Sequence, residues 1–76
     1  MQAKILRKGE GITGRYRNME LGQSKKFFRV WIDDQEIYLP KSVGDSLLKS
    51  HQKGNDVFTI LRTEDVYEIK PVMEAR

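Results

Sequence analysis

The sequence predicts an all-β fold, a small antiparallel barrel of five strands with one short helix between the third and fourth. Three observations carry this expectation. Much of the chain alternates apolar and polar residues with the two-residue period of a strand, most clearly over Lys25-Lys26-Phe27-Phe28-Arg29-Val30-Trp31-Ile32. Turn signals recur at short intervals, at Gly9-Glu10-Gly11, Leu21-Gly22-Gln23-Ser24, Asp33-Asp34 and Thr63-Glu64-Asp65. Only one segment, beginning at Ser42, repeats its apolar residues at helical spacing.

Taken in order, residues 2–8 read as a short strand or the lead-in to one, with Ile5 or Leu6 reaching the core, and the glycines at 9 and 11 permit a turn. A long strand follows over 12–21. Ile12, Gly14 and Tyr16 share one side of it and Thr13, Arg15 and Arg17 the other, with Gly14 a candidate bulge or bend. The loop from Leu21 leads into a second strand over 25–32, which stops at the two-residue turn Asp33-Asp34. A third strand over 35–39 turns Ile37 and Leu39 inward and Glu36 and Tyr38 outward, and Pro40, which has no N–H for a ladder, ends it. Ser42-Val43-Gly44-Asp45 has the Ser-x-x-acid form of a helix start, with Ser42 as N-cap. Val43, Leu47, Leu48 and His51 make the apolar stripe, Lys53-Gly54 the stop. Residues 56–62 give a fourth strand and 66–70 a fifth with Tyr67 and Ile69 inward; Pro71 ends or edges it, and 72–76 are expected to fray.

Composition narrows the function classes. Seventy-six residues make one domain, of a size where a single core is only just sufficient. No apolar run reaches the roughly 20 residues of a membrane span, and no signal segment opens the chain, so the expected location is cytoplasmic, without a membrane partner. Cysteine is absent, which removes disulfides and thiolate metal sites. With a single histidine as well, the sequence offers no zinc ligand set and no cofactor motif. Asp33-Asp34-x-Glu36 reads as a solvated turn, because alternation sends Asp33 the opposite way from Asp34 and Glu36. No nucleophile and base stand in a catalytic pattern, and an enzyme is not expected.

The net charge is +3, unevenly spread. Residues 1–31 carry eight Lys or Arg against Glu10 and Glu20, whereas residues 32–76 carry six against nine acids. An electropositive surface from the N-terminal half follows. Its centre is the second strand, whose outward side is Phe27, Arg29 and Trp31. Rings left outside an aliphatic core need a reason, and bases stacking on them with phosphates drawn to nearby cations supply one. If the registers hold, Arg15, Arg17 and Tyr38 share that surface, and Lys25, Lys26 and the loop from Leu21 extend it. A protein partner or a second copy of the chain is the other occupant such a surface suits, since aromatic residues and Arg are enriched at interfaces.

The order of elements is that of the OB-fold, with the helix between strands three and four. The pattern Gly9-Glu10-x-Ile12-x-Gly14-x-Tyr16, Phe28-x-Val30, Ile37-x-Leu39 with Ser42, Leu47 and Leu48, Gly54-x-Asp56-Val57-x-x-Ile60 and Tyr67-x-Ile69 resembles small phage-type OB-fold proteins associated with single-stranded DNA. Phe28-Arg29-Val30 and Gly54-Asn55-Asp56-Val57 also resemble segments of bacterial translation initiation factor one, an RNA-binding OB domain; the Arg- and Lys-rich segment of that family is not matched. The resemblance implies single-stranded nucleic acid as ligand, DNA before RNA. Arg15, Arg17, Lys25, Lys26, Phe27, Arg29, Trp31 and Tyr38 are then the contacting residues. The alternative is a phage-encoded adaptor or inhibitor that grips a host protein through the same side.

Overall fold

The computed structural model describes residues 4–73. Strands β1 (Lys4–Ile5), β2 (Gly11–Leu21), β3 (Phe27–Ile32) and β4 (Gln35–Pro40) precede helix α1 (Lys41–Gln52), and β5 (Val57–Arg62) and β6 (Tyr67–Pro71) follow it. They form one curled sheet in the order β1-β4-β3-β2-β5-β6. The fold is mostly β and barrel-like, with its helix between the third and fourth predicted strands. Among the described residues it departs from the expectation in having six strands instead of five and in staying open, because β6 does not pair with β4.

The long strand β2 makes the curl. Its first half pairs antiparallel with β5, from Gly11 opposite Leu61 to Arg15 opposite Val57. Its second half pairs with β3, from Tyr16 opposite Ile32 to Leu21 opposite Phe28. The handover lies at the Asp33 turn. The Arg15 amide donates to Asp33 Oδ1 at 3.1 Å, and the Asp33 amide donates to the Arg15 carbonyl at 2.9 Å. Gly14 is required beside it, since a Cβ there would lie 2.8 Å from Ile32 Cγ2 and closer still to the Asp33 carboxylate. Gly14, the expected bulge or bend, is thus a point of close approach. The bulge itself falls three residues later, where the register shifts between Tyr16 and Asn18 and leaves Arg17 without a partner in the ladder. Asp33 is a staple between strands as well as part of an exposed turn.

The core consists of Leu6, Val30, Ile32, Ile37, Leu39, Leu47, Phe58 and Ile60, all buried, with Ile12, Tyr16, Met19, Phe28, Val43, Tyr67 and Ile69 packed against it. The inward sets of β3, β4 and β6 are those that alternation predicts, and β5, which the sequence leaves ambiguous, turns Phe58 and Ile60 inward. Burying one such aliphatic side chain contributes roughly 1.5–3 kcal/mol.

Helix α1 touches β3, β4, β6 and β2. Gly44 is the point of closest approach, lying against the Phe28 ring with no room for a methyl group. The helix does not start as expected: Pro40 is the N-cap and no side chain caps it. The chain enters directly from β4, and the Lys41 amide finds the Lys26 carbonyl at 3.0 Å, which carries Ser42 into the first turn. The stop at Lys53-Gly54 is as expected, with Gly54 at φ +105°.

Four more features differ from the sequence reading or refine it. β3 starts at Phe27, because Lys25 and Lys26 belong to the loop, where Lys25 has φ +60° and donates its amide to the Gly22 carbonyl at 3.0 Å. The N-terminal segment becomes β1 by pairing in parallel with β4, Ile5 beside Tyr38. Arg62 holds the following turn in place: its Nη1 donates to the Leu6 carbonyl at 2.7 Å, and its backbone bonds to both Gly9 and Glu10. Val72 is not frayed, since its amide donates to the Val57 carbonyl at 2.8 Å; residues 74–76 of the expected frayed tail, like residues 2 and 3 of the predicted first strand, lie outside the described residues.

A candidate nucleic-acid interface on the outer side of β3 and β4

Alternation along β3 places Phe27, Arg29 and Trp31 on its outer side, and the ladders decide what stands beside each. Phe27 lies opposite Pro40, Arg29 opposite Tyr38 on β4 and Glu20 on β2, and Trp31 opposite Glu36 on β4 and Asn18 on β2. Ile5 of β1 stands next to Tyr38. The rows run across the sheet as Ile5-Tyr38-Arg29-Glu20 and Glu36-Trp31-Asn18. Phe27 is 45% exposed, a large ring kept in solvent on a regular strand; Ile5 is 61% and Leu21 40% exposed.

These side chains border a groove of about 570 Å³ lined by Ile5, Glu20, Leu21, Phe27, Arg29 and Tyr38, with the loop Gly22-Gln23-Ser24 as its wall. Lys25 and Lys26 follow that wall in the chain, both exposed. The groove is open and of small-ligand size, with rings and aliphatic carbons on its floor.

The electrostatics differ from those the sequence suggests. Arg29 Nε lies 3.1 Å from Glu36 Oε1 and its Nη2 is 3.4 Å from the Tyr38 hydroxyl, with the guanidinium 5.9 Å from the Tyr38 ring centroid. The hydrogen bond with Tyr38, and then the nearby Glu36 and Glu20, raise the Arg29 pKa above its ordinary value. The guanidinium is held as a charged, oriented group against a ring, and its charge is balanced locally by carboxylates. Arg15 and Arg17 do not join this row. The bulge at Arg17 reverses the phase of β2, so that Asn18 and Glu20 take the places beside β3. Arg15 Nη1 lies 3.7 Å from Asp56 Oδ2 instead, on the part of β2 that pairs with β5.

Of the eight expected contact residues, Phe27, Arg29 and Tyr38 thus meet in one groove, Lys25 and Lys26 belong to the loop at its rim, and Trp31 stands on the adjacent row. Arg15 stands apart at Asp56, and Arg17, the bulged residue, has no partner in the ladder. Ile5, Glu20 and Glu36 complete the surface beyond the expected contacts, with Leu21 at the loop expected to extend it. Alternation places Glu36 outward, and the signal for it and for Glu20 is the charge that faces Arg29 across each neighbouring strand.

His51 is a half-buried helix residue, as expected. Its ring lies 4.2 Å from that of Tyr16, tilted by 30°, and its Nδ1 is 3.0 Å from the Asn55 carbonyl and 3.5 Å from Asp56 Oδ1. Burial raises the Tyr16 pKa. Among the described residues no group of three or more His, Cys, Asp or Glu is placed to hold a metal ion, and no helix is long and apolar enough to cross a membrane.

No protein-family model, curated protein or solved structure matches this chain.

Proposed function

We propose that this chain is a non-catalytic OB-type module that binds single-stranded nucleic acid, DNA before RNA, across β3 and β4. The exposed Phe27 and the half-buried Tyr38, two rings lining one open groove beside a basic loop, carry this reading. The strand order β4-β3-β2-β5-β6, with α1 between β4 and β5, supports the OB assignment, and OB domains use the outer side of these strands and the first hairpin loop for oligonucleotides. Bases stack on Phe27 and Tyr38, Arg29 serves as the ordered plate that backs Tyr38, and Lys25 and Lys26 take phosphates. Because Glu36 and Glu20 balance Arg29, stacking contributes more than charge, and binding has little sequence preference.

The test is fluorescence anisotropy of a labelled oligo-dT at low salt. Phe27→Ala is expected to weaken binding roughly 5- to 150-fold, the equivalent of one lost stacking contact. An unchanged affinity in a folded Phe27→Ala protein would overturn the proposal.

The same carboxylates and the exposed Ile5 and Leu21 favour a second reading, a protein partner docked in the groove with Phe27 as its anchor. That reading requires a partner whose binding survives both nuclease and high salt, and which Phe27→Ala also weakens.

A further inference from the structure

The two ends of the sheet are not equivalent. β1 has two residues, whereas β6 has five, and β6 pairs on one side only, with β5. Which backbone groups of β6 are free follows from the ladder. The Thr63 amide donates to the Val66 carbonyl at 2.8 Å and the Val72 amide to the Val57 carbonyl at 2.8 Å. In an antiparallel pair the bonded residues alternate, so 66, 68, 70 and 72 address β5 while Tyr67, Ile69 and Pro71 turn their backbone groups to the outer edge. Among the described residues, none hydrogen-bonds to that edge. Between α1, which packs on β6, and this strand runs an open cleft of about 570 Å³ bordered by Val43, Ser46, Val66, Tyr67 and Ile69.

We propose that this edge binds a second copy of itself, β6 against β6, antiparallel about Ile69, to give a two-fold dimer with one sheet running through both molecules. The sequence of the strand is self-complementary in that register. Ile69 faces its own counterpart, and the two exchange both backbone hydrogen bonds. Glu68 then stands opposite Lys70 of the other copy, twice by symmetry, so that both charges on the outer side are matched. One step further the Tyr67 amide meets the carbonyl of Pro71, a position where proline's missing N–H removes only one bond. Val66, 57% exposed, falls opposite Val72, 39% exposed.

The same residues disfavour other registers. A shift of two residues sets Lys70 against Lys70 or Glu68 against Glu68, and Pro71 blocks longer ladders. Lys and Pro on an edge strand oppose indefinite pairing, while a two-fold contact closes on itself and forms no filament. The contact is small, one short ladder and a few valine side chains, so the dimer is weak, in the micromolar range or above. It leaves the groove on β3 and β4 free and stands whether or not that groove binds nucleic acid.

The test is sedimentation equilibrium over a concentration series reaching roughly millimolar. The wild-type chain is expected to approach dimer mass. Lys70→Glu, which sets four acids against one another, is expected to weaken association at least tenfold while thermal unfolding stays cooperative. Glu68→Lys combined with Lys70→Glu restores the opposition with the signs exchanged and is expected to recover association to within about threefold of wild type. A wild-type protein that stays monomeric throughout would overturn the proposal. So would a dimer that Lys70→Glu leaves intact, or one that Phe27→Ala abolishes and the charge variants do not touch.

Discussion

Replacing Gly44 by Ala tests how α1 is seated. In the interior of a helix that exchange ordinarily stabilises by about 1 kcal/mol, because Gly loses more backbone freedom on folding than Ala. Here the added Cβ lies 2.9 Å from Phe28 Cγ and closer to the ring's edge, inside the separation real carbon atoms tolerate. Two escapes exist. The helix can lift from β3, which loosens Leu47 and Val43 against the core, or the ring can swing outward, which exposes much of a half-buried Phe. Overpacking of the first kind costs about 1–3 kcal/mol, and loss of Phe burial is of similar size, about 1.5–3 kcal/mol. Subtracting the helix gain leaves a net loss of about 0–2 kcal/mol. Urea denaturation measures it directly. Phe28→Ala should convert Gly44→Ala from destabilising to stabilising, and the double-mutant cycle isolates the contact. If Gly44→Ala stabilises the otherwise unaltered protein by about 1 kcal/mol, the packing of α1 on Phe28 is refuted.

Further outcomes follow from the same geometry. The Glu10 carboxylate accepts the Arg7 amide at 2.9 Å and pairs with Lys4, and these contacts, the Arg7 amide first, hold its pKa below the ordinary 4.5. A carboxylate with a lowered folded-state pKa stabilises above its unfolded value, and that contribution is lost as pH falls through the folded one. Glu10→Gln should therefore flatten the decline in melting temperature below pH 4.5, and an unchanged acid slope would contradict the pairing. Tyr16 has the opposite sense. Its pKa is raised by burial above the ordinary 10.0, so the unfolded chain ionises first and stability falls as pH rises past that value; Tyr16→Phe should lessen the fall. Removing the carboxylate that balances Arg29, by Glu36→Gln, should strengthen oligonucleotide binding roughly threefold, since the Arg29 end of the pair is 43% exposed and open to a phosphate. Weakened binding in that variant would mean that the pair positions Arg29 and does not merely neutralise it.

What the sequence made legible was what local rules govern. Strand alternation assigned Val30, Ile32, Ile37, Leu39, Tyr67 and Ile69 to the inside, and the helical spacing found α1. Asp33-Asp34 marked the hairpin because its residues tolerate the φ of +51° that Asp33 adopts. Features set by partners distant in the chain stayed hidden. Ser42 satisfies the local signature of an N-cap, yet the Lys26 carbonyl, 15 residues back in a neighbouring loop, takes the Lys41 amide and moves the start. Gly14 signalled a bend, but the bulge at Arg17 depends on β2 leaving β5 for β3. That one extra residue takes Arg17 out of the ladder and brings Asn18 and Glu20 beside β3, while Arg15, which precedes it, lies opposite Val57 on β5. The short strand read over 2–8 is there as β1, but its parallel pairing with β4 is a distant contact that the period of those residues does not contain.

The central claim, that Phe27, Tyr38 and the loop at Lys25 and Lys26 receive single-stranded nucleic acid, is tested most directly by Trp31 fluorescence. Trp31 is the single tryptophan and stands on the row next to Arg29. Titration with oligo-dT across a salt series gives affinity and charge dependence together. With Lys25 and Lys26 as the phosphate contacts, the slope of log K against log salt should be about −1.4, twice the single-strand value of roughly −0.7 per contact. Quenching with that shallow slope is the predicted result. No change in fluorescence or anisotropy at about 50 mM salt would contradict the claim.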